Sequence, residues 1–425
     1  MKLLVFAHKP PPRHGQSYAV ELLVDALGGD VRGRREPHRN APASATVDQI
    51  ECYHVDSRLS NDLQDVGRAG LRKVVRLLRY CLEAIWCRLR YGVKVFYYIP
   101  APALPAAIYR DWLVMALCRP FFKRRVYHWH AAGLGDWVTS NQSWRGRLTR
   151  ILLGKPDLSI VLSEFNRRDG IIFNSRRVTI VPNGIPDPCP AFDTSLRDTR
   201  RARVDARAEV IGRARAREDA VKANAMRFDL LFIGLCIRSK GLFDAVEAVA
   251  LANRDLRPAG ITVRLNVAGA FWHDYEKTEF EERIRRSDLT EPEPAVLYHG
   301  FVSGAEKERL FRECDALCFP TYYEAESFGL VLLEAMAFGL PVIATRWRMI
   351  PEVLPKDYPL IEPRSPEQIV LAIKRLLTSD EGLRLRDWYL QHFTSTHFAE
   401  NMKQALLSLD TQGLGQDVGG SSHYT

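Results

Sequence analysis

Short apolar runs that alternate with amphipathic helical stretches are the feature that most constrains the fold of this chain. Strands that are separated by helices must be joined by crossovers, so the alternation predicts an α/β fold with parallel sheets covered on both faces. The runs form two series. The predicted strands are residues 3–7, 51–55, 93–99, 125–130, 158–162 and 178–181, and then 228–234, 262–268, 296–299, 316–319, 341–344 and 358–361.

Two series of strands in 425 residues predict two doubly wound, Rossmann-like domains. We place the first domain at residues 1–186 and the second at 227–384. Residues 187–226 are predicted to be a linker with an arginine-rich helical insertion that is solvated, because it has almost no large apolar side chains. A single long helix is predicted over about 385–410, and the polar tail 411–425 is predicted to be disordered.

The composition, 46% hydrophobic and 26% charged, is typical of a globular protein. Eight scattered cysteines include no Cys-x-x-Cys pair, which argues against a zinc site or a disulfide framework and favours a reducing compartment. Residues 1–8 are too short for a signal peptide and fit a first strand better. Charged residues interrupt the most apolar long stretch, 101–122, so no transmembrane helix is expected.

Two carboxylates, Glu326 and Glu334, stand eight residues apart around a predicted helix start. A strand-like run ends at Pro320, a polar loop follows, and an apolar helical run covers about 328–338. Glu326 therefore precedes the helix and Glu334 lies inside it. The free amides of a helix N-terminus suit a phosphate, and carboxylates suit hydroxyl groups. A nucleotide-sugar carries both groups.

This Glu-x7-Glu arrangement resembles the signature of glycosyltransferase family 4, which contains retaining enzymes of the GT-B fold. The segment Gly234-Leu-Cys-Ile-Arg-Ser-Lys-Gly241 resembles the phosphate-binding loop of that family, and His299-Gly-Phe-Val-Ser303 resembles its nucleotide-base loop. Val181-Pro-Asn-Gly-Ile185 resembles its interdomain segment. The resemblance implies two Rossmann-like domains with parallel sheets facing across a cleft, the first binding the acceptor and the second the nucleotide-sugar.

The resemblance also implies roles for individual residues. Glu326 would bind the transferred sugar, Lys240 the diphosphate, and His130 would lie near the donor sugar, so these three are the predicted catalytic residues. Glu334 would bind the ribose. The predicted substrate-binding residues are Gly15, Asn183, Arg238, Phe301, Val302, Ser327, Phe328, Gly329, Leu330, Val331 and Glu334.

The chain departs from the family where Leu235 stands in place of an arginine that usually follows the first glycine of the phosphate loop. Arg238 is a candidate substitute. Because no Asp-x-Asp motif is found, we expect no metal and no cofactor, and positive side chains would stabilise the leaving group instead.

Structural roles compete with each of these assignments. Lys240 and Arg238 could be solvated loop cations, Glu326 a solvated acid, and Glu334 a buried carboxylate paired with an arginine. Gly15 could belong to an ordinary turn. His128 and His130 share one strand face, where both could be core or capping histidines.

Positive charge is concentrated in the first half of the chain. Residues 1–225 contain 38 Lys and Arg against 22 Asp and Glu, whereas residues 226–425 contain 22 against 29. This asymmetry predicts an anionic partner for the first domain, and we favour an anionic membrane surface over nucleic acid, for which no module is recognisable. The position would then be cytoplasmic, at the inner face of the cytoplasmic membrane.

Residues 68–91 predict an amphipathic helix that could carry this interaction. The helix could lie on a bilayer, pack on the sheet with a basic outer face, or pack its apolar face inward and turn its basic face to lipid. Its predicted apolar stripe consists of Leu71, Val74, Val75, Leu78, Cys81, Leu82, Ile85 and Leu89.

The leading hypothesis is a retaining, metal-independent hexosyltransferase that uses a nucleotide-diphosphate sugar and a glycan or lipid-linked acceptor in polysaccharide or glycolipid biosynthesis. Two alternatives stay open. One is a nucleotide-sugar-binding subunit with weak or no activity, and the other is a nucleotide-sugar epimerase of the same fold.

Overall fold

The computed structural model describes residues 1–11, 15–33, 50–59, 70–192, 194–216, 226–290 and 293–410 of the chain. The chain divides into two compact units. The first contains Met1–Pro182 and the chain from His397, and the second contains Asn183–Thr396. The predicted tail, 411–425, lies outside the described residues.

The first unit is built on a six-stranded sheet in which all neighbouring strands are parallel, in the order β2-β1-β3-β4-β5-β6. The strands are β1 (Lys2–Phe6), β2 (Glu51–Val55), β3 (Val95–Tyr98), β4 (Arg124–Trp129), β5 (Leu158–Val161) and β6 (Val178–Ile180). The helices are α1 (Gly15–Ala26), α2 (Leu71–Tyr91), α3 (Pro105–Cys118), α4 (Leu134–Ser140), α5 (Trp144–Leu153) and α6 (Arg167–Ile172).

Helices cover both faces of this sheet. Successive residues of β1 belong to different hydrophobic clusters: Leu4 and Phe6 pack with α2 and α3, while Leu3 and Val5 pack with α1. A strand that is buried on both faces needs a continuous apolar run, which is why β1 reads Leu-Leu-Val-Phe rather than alternating with polar residues.

The second unit has a five-stranded parallel sheet in the order β11-β10-β7-β8-β9. Its strands are β7 (Met226–Ile233), β8 (Ile261–Ala268), β9 (Val296–Gly300), β10 (Ala316–Phe319) and β11 (Val342–Ala344). The helices are α7 (Thr194–Ala216), α8 (Leu242–Leu256), α9 (Asp274–Ile284), α10 (Ser287–Thr290), α11 (Gly304–Glu313), α12 (Leu330–Ala337), α13 (Ile350–Val353), α14 (Pro366–Leu376) and α15 (Gly382–His392). The α/β prediction with two parallel sheets is therefore confirmed.

The predicted twelfth strand, 358–361, is wrong: this segment makes only an isolated bridge between Ile361 and Thr345. Pro359 has no amide to donate to a ladder. The Tyr358 hydroxyl, rather than its backbone, contacts β11, where it donates to the Val342 carbonyl at 2.8 Å.

The arginine-rich segment is not the solvated insertion that its composition predicts. It forms α7, whose Arg200 and Arg207 are buried in the second unit. Arg200 donates to the carbonyl oxygens of Gly339 and Phe311. Arg207 pairs with Asp315 at 3.0 Å. Buried arginines thus attach this helix to the unit together with its few apolar residues, Val204, Val210 and Ile211.

The segment predicted as one long helix over 385–410 is divided into two. The helix α15 ends at His392, and a last helix, α16 (Ser395–Leu407), begins three residues later. Between them the Phe393 carbonyl accepts from the Ile185 amide at 3.0 Å, and the Ser395 amide donates to the Ile185 carbonyl at 2.8 Å. This short β-type pairing engages the Phe393 carbonyl and the Ser395 amide. In a continuous helix these two groups would form hydrogen bonds within the helix. Beyond it, α16 packs in the first unit.

The helix α2 buries a face other than its predicted apolar stripe. Its buried residues are Leu77, Cys81, Ala84 and Cys87, and only Cys81 of these belongs to the stripe. The helix packs on the sheet, as one interpretation has it, but the expectation that its apolar stripe faces the sheet is wrong. No helix among the described residues is both long enough and apolar enough to cross a bilayer.

Candidate active site

The candidate site of the second unit lies where the neighbouring strands β7, β10 and β11 end. A short 3-10 turn, Arg238–Lys240, follows β7, and the loop of residues 320–329 follows β10. The Tyr322 amide donates to the Ser239 carbonyl at 2.8 Å and ties the two segments together. The carboxyl edge of a parallel sheet is the usual ligand side of such folds.

Gly241 is what allows these segments to approach so closely. Its φ of 77° suits glycine, and a Cβ at this position would stand 2.2 Å from the Pro320 carbonyl oxygen. Any larger residue would push the Lys240 turn away from the loop that carries Glu326.

Lys240 and Glu326, two of the predicted catalytic residues, form an ion pair. The Lys240 Nζ donates to the Glu326 Oε2, which also accepts from the Thr321 hydroxyl at 3.3 Å. Their side chains are only 16% and 8% exposed. Neither group is therefore a solvated loop charge, and the structural alternative for Glu326 and Lys240 is wrong.

Aromatic rings enclose the ammonium group. The Lys240 Nζ lies 5.2 Å from the centre of the Tyr323 ring and 5.6 Å from that of Phe319. These rings reduce water access and attract the cation. Burial, and secondarily the charge of Glu326, raise the pKa of the Tyr323 hydroxyl, which therefore stays protonated.

Glu334 lies in the second turn of α12, as predicted. The helix begins at Leu330, and Gly329 precedes it in a left-handed conformation with φ of 73°. The first-turn amides of an α-helix have no intrahelical acceptor, so those near Leu330 and Val331 are suited to an anion. Glu334 Oε1 accepts from the Lys307 Nζ at 2.6 Å. The charge partner is thus a lysine from α11 rather than the arginine considered from the sequence.

Arg238 is bound by partners other than the Lys240–Glu326 pair. Its guanidinium donates to Glu279 at 2.6 Å and lies over the Phe243 ring at 4.6 Å. Its amide donates to Glu276 at 2.7 Å. The substitution of Arg238 for the residue missing at Leu235 stays a prediction.

The predicted base loop, residues 299–303, begins within β9 and continues beyond its end. His299 Nε2 lies 3.0 Å from the Asn266 Oδ1, and burial lowers the pKa of His299, which favours the neutral ring. Val302 is buried, whereas Phe301 is 76% exposed. An exposed aromatic ring at the end of a sheet offers a surface for stacking a planar base.

The remaining predicted residues differ in burial and position. Ser327 is partly exposed and Phe328 is buried against Phe393, beside the start of α12. Asn183 is buried at the start of the second unit, with its Oδ1 unpaired among the described contacts. Gly15 opens α1 in the first unit and is only partly exposed.

His130 follows β4 in the first unit and is buried beside His128. The His130 Nε2 lies 3.1 Å from the His128 Nδ1, which confirms the prediction that the two rings share one face. His128 also bonds the Tyr97 hydroxyl. Burial, and then the nearby His130, hold the pKa of His128 well below its usual range, so His128 is neutral and serves the core.

Three residues of the site were missed in the sequence: Thr321, Tyr323 and Lys307. Their separations from Glu326 and Glu334 along the sequence follow no pattern. The sequence therefore does not indicate that they contact the two glutamates or lie near them. The fold alone brings Lys307 to Glu334, because α11 and α12 flank β10.

Asp169 anchors the loop that follows His130 and gives the first unit a pH-dependent stability. Its Oδ1 accepts from the Gly135 amide at 2.6 Å. Burial nevertheless raises the pKa of Asp169 from 3.8 to about 6. A raised folded-state pKa contributes stability that is complete below the unfolded pKa and lost as pH rises through about 6.

We expect Asp169→Asn to remove this loss, which amounts to about 3 kcal/mol of unfolding free energy between about pH 4 and pH 7. Urea unfolding of the wild type and the variant at both pH values measures it. The exposed Glu164→Gln serves as the control. An unchanged pH dependence in Asp169→Asn would contradict the assignment.

Comparison with known proteins shows that part of the chain is similar to a protein family. Residues 215–387 match the family model described as "Glycosyl transferases group 1". A D-inositol 3-phosphate glycosyltransferase from Arthrobacter sp. strain FB24 is 37% identical over 124 residues, which are 29% of this chain and 27% of that protein. The match therefore spans less than a third of the curated relative.

Similar solved structures cover nearly the whole chain. Anabaena HepE in complex with UDP aligns with 96% of this chain and all of its own, with a TM-score of 0.61 and 16% identity. Sucrose-phosphate synthase from Thermosynechococcus elongatus aligns with 97% of this chain and all of its own, at 0.61 and 17%. At such identities the likeness establishes the fold.

No cluster of three or more His, Cys, Asp or Glu suited to a metal occurs within the described part of the chain. All eight cysteines are described, all are buried, and none is joined in a disulfide. The segment of residues 215–387 is similar to the glycosyl transferases group 1 family, and the chain that contains it has the GT-B fold.

Proposed function

We propose that the chain is a retaining, metal-independent glycosyltransferase of family 4 type that moves a hexose from a nucleotide-diphosphate sugar to a glycan or lipid-linked acceptor. The observation that supports this most is the buried Lys240–Glu326 pair beside the N-terminus of α12. It combines a cation, a carboxylate and helix amides, which are the groups that a sugar diphosphate requires.

The transfer would use these groups as negative charge grows on the departing diphosphate. Lys240 and the first-turn amides of α12 are fixed before the reaction, so they stabilise that charge without reorganising. Glu326 would accept hydrogen bonds from sugar hydroxyls and hold the anomeric carbon against the acceptor. Lys240 would supply the positive charge that a metal supplies in other transferases.

Glu334 and Lys307 would bind the nucleoside part of the donor. A ribose diol can donate two hydrogen bonds to one carboxylate, and such charge-assisted bonds are strong. UDP is the first nucleotide to test, because the similar Anabaena structure contains UDP.

The acceptor and the cellular role are proposed more broadly. A role in cell-surface polysaccharide or glycolipid synthesis, at the cytoplasmic face of the membrane, accords with the basic first half of the chain. Incubation with a panel of nucleotide-sugars tests the activity through release of the free nucleoside diphosphate. Binding without release, for every donor and acceptor tried, would contradict a transferase.

That outcome would favour the second candidate, a nucleotide-sugar-binding subunit. The observation that favours a binding subunit is that the phosphate loop departs from the family pattern. Leu235 replaces the usual arginine, and Arg238 is engaged with Glu279.

We expect Glu334→Gln to weaken UDP binding about tenfold, because a neutral amide loses the charge-assisted part of the bonds to the ribose. Titration calorimetry with UDP measures the change. Glu308→Gln, at an exposed position of α11, is the matched control. Equal UDP affinity in the wild type and Glu334→Gln would exclude the ribose role.

A further inference from the structure

The helix α2 presents an apolar surface to solvent in addition to the face that it buries. Its inner face is formed by Leu77, Cys81, Ala84 and Cys87. On the outside, Leu71 is 80% exposed, Leu82 is 67% exposed and Leu89 is 70% exposed. Exposed apolar side chains usually occur singly, so a row of them indicates a binding surface.

The exposed residues form one continuous stripe along the helix. They follow one another at intervals of three or four residues, which places them on one side of an α-helix. With 21 residues the helix is about 30 Å long, and the stripe runs from its first residue almost to its last. The outward stripe consists of Leu71, Val75, Leu78, Leu82, Trp86 and Leu89.

A row of cations runs beside the outward stripe. Arg72, Arg76, Arg79 and Arg90 are exposed, and each follows a stripe residue by one position, about a quarter of a turn around the helix. The one acid of the helix, Glu83, is paired with Arg32 at 2.9 Å. The cationic row therefore has no opposite charge on its own helix to neutralise it.

The helices α3 and α5 of the first unit also carry exposed aromatic side chains, Tyr109 and Trp144. The Arg88 guanidinium donates to the carbonyl of Phe121, whose ring is exposed after α3. On α5, exposed Trp144 lies 5.7 Å from Trp112, and the Arg145 guanidinium lies over the Trp144 ring at 5.6 Å. Tryptophan, tyrosine and arginine are the residues that prefer the interface between water and a bilayer.

We propose that the outward stripe of α2 is a docking surface for an anionic lipid bilayer. The helix lies parallel to the membrane plane, its leucines enter the edge of the hydrocarbon region, and its arginines contact lipid phosphates. The charge of the surface selects this occupant, because a bilayer rich in anionic lipid offers apolar and negative groups together over the full length of the helix. The inference does not depend on the proposed transfer reaction.

Docking combines attraction of the arginines to anionic lipid with insertion of the leucines, and the second contribution distinguishes it from electrostatic adsorption alone. Salt screens the arginines but not the inserted leucines, so raising ionic strength weakens binding without abolishing it. Neutral vesicles retain weak binding for the same reason.

Co-sedimentation of the full chain with phosphatidylcholine vesicles, with and without phosphatidylglycerol, tests the proposal. We expect Leu82→Glu with Leu89→Glu to lower vesicle affinity at least about tenfold at every salt concentration. Replacing Arg72, Arg79 and Arg90 by Gln should lower binding to anionic vesicles only, and flatten its salt dependence. Leu371→Glu, at an exposed leucine of α14, is the matched control and should bind as the wild type does.

Trp86 supplies a direct readout of insertion. Brominated lipids should quench tryptophan fluorescence of the wild type, and Trp86→Leu should reduce the quenching while retaining vesicle binding. Circular dichroism melting confirms that the outward variants are folded, since none of the replaced side chains is buried.

Two results would overturn the proposal. One is vesicle binding that ignores the paired Leu82 and Leu89 substitutions. The other is a wild-type dimer in lipid-free sedimentation that the same substitutions convert to a monomer, because a second copy would then be the partner of the stripe.

Discussion

Glu326→Gln is expected to lower kcat of the proposed transferase by about 10²–10³-fold while the protein stays folded. Glutamine keeps the shape of the side chain but loses the charge that holds Lys240 and that would bind the sugar hydroxyls. The substitution leaves the Lys240 ammonium without its buried counterion. UDP affinity should change much less than turnover, since the ribose would bind at Glu334.

Turnover of the best donor, measured by diphosphate release, gives kcat, and calorimetry gives the UDP dissociation constant. Glu324→Gln is the matched control, because Glu324 lies two residues away and is exposed. A Glu326→Gln protein with normal kcat would remove this carboxylate from the mechanism. Equal losses in both variants would indicate damage to the loop rather than loss of one group.

Asp315→Ala is expected to destabilise the second unit by about 3–5 kcal/mol, because it leaves a buried guanidinium without a counterion. Asp315 binds Arg207 at 3.0 Å and Arg203 at 3.2 Å, and it also accepts from the Asp229 amide at 2.8 Å. Arg207 is only 1% exposed, so water cannot replace the lost carboxylate.

Urea unfolding at neutral pH measures this loss. Asp205→Ala, which removes an exposed pair with Arg201 on the same helix, should change stability by no more than about 0.5 kcal/mol. If Asp315→Ala proves as mild as Asp205→Ala, α7 is not attached to the unit through its arginines.

The fold could largely be predicted from the sequence, because strands buried on both faces require uninterrupted apolar runs. Every strand of both sheets overlaps a predicted strand, although several strands carry polar residues, such as His54 in β2 and Arg264 in β8. The exception, 358–361, has the composition of a strand, but Pro359 and the inward Tyr358 hydroxyl prevent a ladder. Local composition cannot reveal that outcome, because it depends on which backbone groups lie nearby.

Charge was harder to interpret than hydrophobicity. The arginines of α7 predicted a solvated helix. The sequence does not reveal that Asp315 forms an ion pair with one of them and that backbone carbonyl groups accept hydrogen bonds from another. The stripe of α2 was recognised, but periodicity defines a face without saying whether it points inward or outward. In both cases the answer depends on residues far away in the chain.

The candidate site was predicted in part. Lys240 and Glu326 were predicted to have two roles in one reaction, and the structure brings the two side chains into contact. Lys307, Thr321 and Tyr323 could not be foreseen, because the interactions that join them to the glutamates depend on tertiary structure. The family roles of Gly15, Asn183 and His130 stay predictions.

The mutual neutralisation of Lys240 and Glu326 has a consequence for selectivity. A small anion such as inorganic phosphate would have to separate the pair and would leave the carboxylate without a partner, so it gains little by entering. A molecule that brings an anion and hydroxyl donors joined at a fixed distance can satisfy both members at once. In the proposed transferase, the ion pair would therefore favour intact sugar diphosphates over their fragments, even before any other residue contacts the ligand.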